Sequence, residues 1–227
     1  MKKLKSSRLS SDFYNKEGEE LAIALLGKVL CRRLPNNTVI SGYIVETEAY
    51  LGFIDKASQT YNGRRTDHNE PLYMDPGTCY VYMTYGMYHC MNISSKGDGS
   101  AVLIRAVEPL NGIEHITKLR SKAKKKNKLN QTPIKDLCNG PAKFCMGFDI
   151  NKKNINKEDL SNSNHIWIEE PDCNSEIIST LNKNNIVKCP RIGIESAGRE
   201  WADKPMRFYI KSNIYVSKKD KNEITLE

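Results

Sequence analysis

From Val39 to Thr47 the chain alternates in the manner of a strand, with the β-rich run Gly42-Tyr43-Ile44-Val45 at its centre. Continuing that alternation carries it into Glu48 and Tyr50. Side chains two apart on a strand share a face, so Ile44, Glu46, Glu48 and Tyr50 are expected together. A carboxylate and an aromatic ring at a strand end can then address one cavity.

After this strand, the stretch from Gly52 to Pro76-Gly77 shows no sustained periodicity, and it carries Arg64 and Arg65. A connection this long in a compact domain is usually functional or disordered. Thr78 to Met83 and Cys90 to Ser94 read as strands, with four tyrosines (Tyr80, Tyr82, Tyr85 and Tyr88) in nine residues. Between them Tyr85-Gly86-Met87 is a tight turn whose glycine lets it present its neighbours outward. A carboxylate, aromatic faces and a cationic loop are the equipment for work on an extruded nucleobase.

The remaining expectations are coarser. Ser11-Asp12 caps a helix running through about Glu19 to Leu30, where Leu21, Leu25 and Val29 recur at helical spacing. Ala101 to Val107 is a strand with Leu103 and Arg105 on one side, and Pro109 starts a helix toward Arg120. Ser121 to Asn130 is a lysine-rich surface connection. Pro141 opens a helix after Gly140, leaving backbone N–H groups that suit a phosphate. Asn151 to Asn164 and Cys173 to Lys188 read as surface loops, within the broader loop ranges 121–135, 151–164 and 173–188. His165–Ile168, Arg191–Ile194 and Arg207–Ile210 supply three more strands. Residues 1–11 and 218–227 are expected to fray.

At 227 residues the chain can bury a substantial core, and no linker or internal repeat divides it, so a single domain over 1–227 is expected. Lys plus Arg is 35 against 27 Asp plus Glu, a net charge of +8. That excess suits nucleic acid or an anionic membrane surface, and equally a solvated lysine-rich exterior. No run is long and apolar enough to span a bilayer, and Met1-Lys2-Lys3-Leu4 precedes no hydrophobic signal core. The chain therefore reads as soluble and intracellular, with no membrane partner. Seven cysteines without a Cys-x-x-Cys pair and four scattered histidines indicate neither a disulfide frame nor a metal site.

Several motifs together resemble the alkyladenine (3-methyladenine) DNA glycosylase family. They are Val45-Glu46-Thr47-Glu48-Ala49-Tyr50-Leu51-Gly52, Tyr80-Val81-Tyr82-Met83-Thr84-Tyr85-Gly86-Met87-Tyr88, Met91-Asn92-Ile93-Ser94, Val102-Leu103-Ile104-Arg105-Ala106, Asn139-Gly140-Pro141-Ala142-Lys143 and Arg207-Phe208-Tyr209. They fall in order between about Asp12 and Val216. The resemblance implies an α+β domain around a curved, mostly antiparallel sheet. It further implies a monofunctional enzyme that flips a damaged purine from duplex DNA and hydrolyses its N-glycosidic bond with water, needing no cofactor and no second subunit. Alkylated or deaminated purines are the implied substrates, in the nucleus of a eukaryote or the nucleoid of a bacterium. The run Lys124-Lys125-Lys126 is a candidate nuclear address.

By the same resemblance Glu48 is the general base and Arg105 orients its water. Glu46 shares the expected face, so strand geometry alone does not separate the two carboxylates. Tyr50 and Tyr82 are the walls that stack on the base, although a tyrosine ladder can also simply fill a sheet face. Asn92 crowds the amino group of guanine. Tyr85 wedges into the duplex with Met87 beside it, and Arg64, Arg120, Lys143 and Lys152 stand where backbone contacts are made.

Two positions depart from the family pattern. After Asp55-Lys56-Ala57-Ser58 the usual histidine is replaced by Gln59, which cannot stack as an imidazole or titrate near neutral pH. In Thr66-Asp67-His68-Asn69, His68 stands where an arginine is usual, exchanging a permanent charge for a mostly neutral ring and weakening the grip on DNA. These departures leave two other readings: a damaged-DNA-binding protein with weakened catalysis, and an RNA- or nucleotide-binding module of the same fold. Because Gln59 belongs to recognition and not to water activation, Gln59→His is expected to change substrate preference without abolishing hydrolysis. Single-turnover excision of hypoxanthine, 1,N6-ethenoadenine and 3-methyladenine checks this, and equal rates in both proteins on all three bases would refute it.

Overall fold

The computed structural model describes residues 8–123 and 132–226. Its elements run α1 (Ser11–Tyr14), α2 (Gly18–Ala24), β1 (Val29–Arg33), β2 (Val39–Leu51), β3 (Cys79–Thr84), β4 (Tyr88–Ser94), β5 (Ser100–Asn111), α3 (Ile113–Ala123), α4 (Pro141–Gly147), α5 (Lys152–Ile155), β6 (Ile166–Glu169), α6 (Glu176–Thr180), β7 (Ile186–Cys189), α7 (Arg199–Ala202) and β8 (Arg207–Ile210). The strands form one antiparallel sheet in the order β3-β4-β5-β2-β1-β6, with β8 also on β2 and β7 on β8. The fold is α+β, as the sequence motifs imply.

The trunk is β2. Its first half pairs with β1, from Val39↔Arg33 to Tyr43↔Val29, and its second half pairs with β8 over Glu46 to Glu48. Between the halves its register with β5 shifts from Ile44↔Val107 to Glu46↔Ala106, a bulge that lets one edge serve two partners. The bulge also changes which residues share a face. Ile40 and Ile44 before it, and Val45 and Ala49 after it, all enter the main core. Ile44 therefore does not join Glu46, Glu48 and Tyr50, contrary to the simple alternation.

Beyond the bulge the two faces separate cleanly. Val81, Met91, Ile93, Val102, Ile104 and Phe208 point into one core, where Leu21, Leu25, Phe144 and Phe148 from the flanking helices meet them. The alternate residues, among them Tyr80, Asn92, Leu103, Arg105, Glu48 and Arg207, occupy the opposite face. One face holds the fold together and the other is free for chemistry. Cys79, Cys90, Cys138 and Cys145 are buried free thiols, and burial pushes Cys138 up to about 12.

Several expected boundaries move. The first helix stops at Ala24, because Gly27 takes φ +78° and turns the chain into β1, which contains Val29 and Leu30. Ser11 and Asp12 begin the separate turn α1. Pro109 sits inside β5 opposite Gly42, at a register irregularity where its missing N–H is tolerated, and the helix starts only at Ile113. Residues 151–164 contain α5, whose Asn151 side chain accepts the N–H groups of Lys153 and Asn154 at 2.9 and 3.2 Å. Residues 173–188 contain α6 and most of β7. Arg191–Ile194 is an irregular segment and not a strand. Most of the lysine-rich connection, with Lys124-Lys125-Lys126, lies outside the described residues.

The C-terminal segment is also tied down where fraying was expected. Ser217 donates its N–H to Glu46 Oε2 at 2.7 Å, Arg207 Nη1 reaches the Lys218 carbonyl at 2.7 Å, and Leu226 N–H bonds Ile186 O at 2.9 Å. Ending the chain at Val216 strips two donors from a fully buried carboxylate. The expected cost is about 3 kcal/mol or more, since bonds to charged groups contribute about 1.5–3 kcal/mol each, and it is measured as a lower denaturant midpoint.

Candidate active site

The face of the sheet away from the core lines a cavity of about 450 Å³, within the usual range for a small-ligand site. Its floor is Glu48, Leu103 and Arg105. Tyr50, Tyr80, Tyr82 and Asn92 form walls, Gln59 and Ala57 come from the long loop, and Ile192 and Gly193 come from the irregular segment before α7.

Four charged groups lie beneath it with almost no exposure: Glu46 and Glu48 at 0%, Arg207 at 3% and Arg105 at 7%. Burying ions costs several kcal/mol each unless they pair with good geometry. Here Arg105 spans the two acids, with Nε donating to Glu46 Oε1 at 3.0 Å and Nη1 at 3.1 Å from Glu48 Oε1. Its pKa is raised: burial opposes the charge, and Glu48 and then Glu46 outweigh that opposition.

The two carboxylates differ in what is left over. Glu46 Oε1 receives Arg105 Nε, Arg207 Nη1 at 2.9 Å and Ser217 Oγ at 2.9 Å, while Oε2 receives the Ser217 N–H. That makes four donors, three of them crowded on Oε1, and Glu46 does not line the cavity. Glu48 Oε1 receives the Ile192 N–H at 2.8 Å and faces Arg105, and Oε2 receives the Tyr50 hydroxyl at 2.9 Å. Glu48 thus takes three donors against four on Glu46, and of the two acids it is the one lining the cavity. Burial and then the Glu48 charge push the Tyr50 phenol well up, so it remains a donor.

A second buried pair frames the walls. Arg191 grips Asp55 through two bonds of 2.6 and 2.9 Å, donates to Ala49 O at 2.9 Å, and lies with its guanidinium 4.6 Å from the Tyr50 ring centre. Asp55 also accepts the N–H groups of Leu51 and Ala57, both at 3.0 Å. One carboxylate thus joins the end of β2, the long loop and the segment whose Ile192 amide holds Glu48. Neither Asp55 nor Arg191 was singled out from sequence. An aspartate in a turn and an arginine after a proline carry no local sign that they meet across 136 positions.

Tyr80 stacks on Tyr82 with ring centres 5.4 Å apart and planes 26° apart. Asn92, 6% exposed and opposite Tyr80 across β3 and β4, donates to the Tyr80 carbonyl at 3.3 Å. The two departures from the family pattern converge on Tyr80: its hydroxyl bonds Gln59 Oε1 and lies 2.8 Å from His68 Nδ1. His68, read from sequence as weakening the grip on DNA by replacing an arginine, is exposed and lies beside a tyrosine of the cavity.

The hairpin tip projects away. Tyr85 is 87% exposed and Met87 66%, with Met83 and Tyr88 also exposed. Of the cationic candidates, Arg64 and Lys152 are exposed, and Lys143 is half-buried with Nζ on Asn139 Oδ1 at 2.8 Å. Arg120 differs from the expectation: it is 3% exposed, with Nη1 against Met146 Sδ at 3.5 Å. Its long stem packs between α3 and α4 and keeps the charge off the surface. Arg65 forms a two-bond pair with Glu70 at 2.6 and 2.9 Å.

Residues 12–214 match the family model described as methylpurine-DNA glycosylase (MPG). The human DNA-3-methyladenine glycosylase is 44% identical over 215 residues, covering 95% of this chain and 70% of that protein. The mouse protein of the same name is 42% identical over 95% of this chain and 63% of its own length. A Clostridium botulinum (strain Alaska E43 / Type E3) protein, provisionally given the name 3-methyladenine DNA glycosylase, is 46% identical over 93% of this chain and 99% of its own. The molecule is an enzyme of the DNA glycosylase class, a base-excision repair hydrolase with DNA as its partner. It belongs to the methylpurine-DNA glycosylase family.

Tyr85 has φ +51° and Gly86 +68°, two consecutive left-handed residues in the three-residue turn between the paired Thr84 and Tyr88. A left-handed conformation costs a residue such as tyrosine about 1–2 kcal/mol, and an almost fully exposed ring gains little packing in return. Tyr85→Asn is therefore expected to stabilise the protein by about 1 kcal/mol, visible as a higher denaturant midpoint at unchanged m-value.

Proposed function

We propose that the enzyme extrudes alkylated or deaminated purines, among them 3-methyladenine, 7-methylguanine, hypoxanthine and 1,N6-ethenoadenine, from duplex DNA into this cavity and hydrolyses the bond to the sugar. The observation that carries the reading is the contrast between Glu46, engaged by four donors away from the cavity, and Glu48, which takes three and lines it. A water held there by Glu48 and Arg105 gives its proton to the carboxylate as its oxygen attacks C1′. The C1′–N bond breaks with its electron pair leaving on the base. The carboxylate also stabilises the cationic sugar of the transition state.

Tyr50 and Tyr82 sandwich the base, and stacking contributes about 1–3 kcal/mol per base while tolerating many shapes. Cationic alkylpurines gain cation–π attraction from the same rings. Asn92, held by the Tyr80 carbonyl, crowds a 2-amino group and so rejects guanine. Tyr85 enters the gap left by the base, with Met87 beside it, offsetting the lost stacking. The strain it carries at the turn supports that role, since nothing in the fold itself requires a tyrosine there. Arg64, Lys143 and Lys152 meet phosphates, which position the enzyme without reading sequence. The enzyme works as a monomer wherever the cell keeps its DNA.

Glu48→Gln removes the proton acceptor and retains the shape. Single-turnover release from duplexes carrying hypoxanthine or 1,N6-ethenoadenine is expected to fall by about 10²–10⁴-fold in this variant, with lesion binding kept. Lesion-selective binding by the wild-type protein without any release would overturn the reading in favour of a damage-binding protein.

A further inference from the structure

We propose that His68 is a positioning residue which, acting through Tyr80, sets whether Gln59 offers a hydrogen-bond donor or an acceptor to the base in the cavity. The inference rests on the glycosylase reading of that cavity. The Tyr80 phenol has one proton to give, and burial pushes its pKa up so that the proton stays in place. Its oxygen meets two partners, the Gln59 side chain and His68 Nδ1 at 2.8 Å. The His68 ring is set edge-on to Tyr80, with centres 5.9 Å apart, and is tilted against Tyr82 at 6.5 Å.

The mount is rigid. Asn69, 3% exposed, accepts the Thr66 N–H at 2.7 Å and donates to the carbonyls of Gln59 at 3.0 Å and Arg64 at 2.8 Å. The loop that carries His68 is thereby laced to the residue it addresses. The rings set against the imidazole are Tyr80 and Tyr82 from β3, and the Gln59 amide is linked to it through the Tyr80 hydroxyl. Asp67 is its chain neighbour, and no carboxylate or cation forms an ion pair with it among the described residues.

When the imidazole is protonated, Nδ1–H can only donate. The phenol oxygen accepts it, and the phenol proton must then go to Gln59. Gln59 turns Oε1 to Tyr80, as observed, and keeps its NH₂ for the cavity. When the imidazole is neutral, Nδ1 can instead accept the phenol proton. Gln59 is then free to give its NH₂ to the phenol and present Oε1. Protonated His68 therefore favours a purine with an acceptor at the edge meeting Gln59, such as the 6-oxo group of hypoxanthine, over one with a donor, such as the 6-amino group of 3-methyladenine.

The test is the ratio of single-turnover excision of hypoxanthine to that of 3-methyladenine between about pH 8 and about pH 5.5, a range that brackets imidazole titration. Ionisations common to both substrates cancel in the ratio. It is expected to rise about three- to tenfold on acidification, the effect of one hydrogen bond made or lost, and to be flat in His68→Phe. A wild-type ratio that does not move, or a pH dependence that survives in His68→Phe, overturns the proposal. A second readout needs no activity: the His68 titration followed by NMR in wild type and in Tyr80→Phe. A displaced midpoint in the variant supports the relay, and an unchanged one overturns it. Absence of release from either lesion at every pH would count against the glycosylase reading, while the NMR result would still decide the relay.

Discussion

Arg105 is the interaction on which the site depends. It stands at 7% exposure between two carboxylates that have no exposure at all, and it links β5 to both of them across the middle of the sheet. Without that cation, two acids on one strand face would repel each other in a medium that screens poorly. With it, and with Arg207 and Ser217 completing Glu46, the network is neutral as a whole and uneven in its parts. Glu46 is consumed as structure. Glu48 is held in place by fewer donors, Ile192, Tyr50 and Arg105, and it alone of the two acids lines the cavity.

The sheet makes this division possible. Apolar residues on one face of the strands bury against α2 and α4, so the other face need not contribute to a continuous core and can carry charge and aromatic rings. The bulge at Ile44–Glu46 brings about the change. Before it, β2 pairs with β1 and sends Ile40 and Ile44 into the core. After it, the same edge accepts β8, and with β8 come Arg207 and the C-terminal segment that satisfies Glu46. Asp55 and Arg191 do the same service for the cavity walls, joining three segments through one ion pair. The hairpin at Tyr85 lies outside both arrangements, exposed and in a left-handed backbone conformation.

Much of the site was legible from local pattern. Period-two alternation put Glu46, Glu48 and Tyr50 on one side of their strand and Leu103 with Arg105 on one side of theirs, and the glycine turn at Tyr85-Gly86-Met87 was recognisable from its composition. Boundaries were less so. Leu21, Leu25 and Val29 fit a helical period, yet Val29 and Leu30 belong to a strand, because Gly27 reverses the chain and β6 and β2 offer pairing on both sides. Pro109 suggested a helix start, and only a register irregularity opposite Gly42 lets it remain in β5. Lys218 to Leu226 looked like a tail on polarity alone, but its backbone groups are bonded to β7, β8 and Arg207.

What the sequence by itself determined is the set of faces: which residues alternate toward a core, which carry rings and charges opposite, and where a glycine permits an exposed tip. It also carried the motifs by which the family is recognised. What only the tertiary structure decided is the division of labour within those sets. Glu46 and Glu48 are equivalent in pattern, and partners drawn from positions 105, 192, 207 and 217 make them different. Gln59 and His68 are separate departures along the chain, and they become one feature because Tyr80 lies between them. Hydrogen-bond partnering depends on groups distant in sequence, so no local reading could have assigned it.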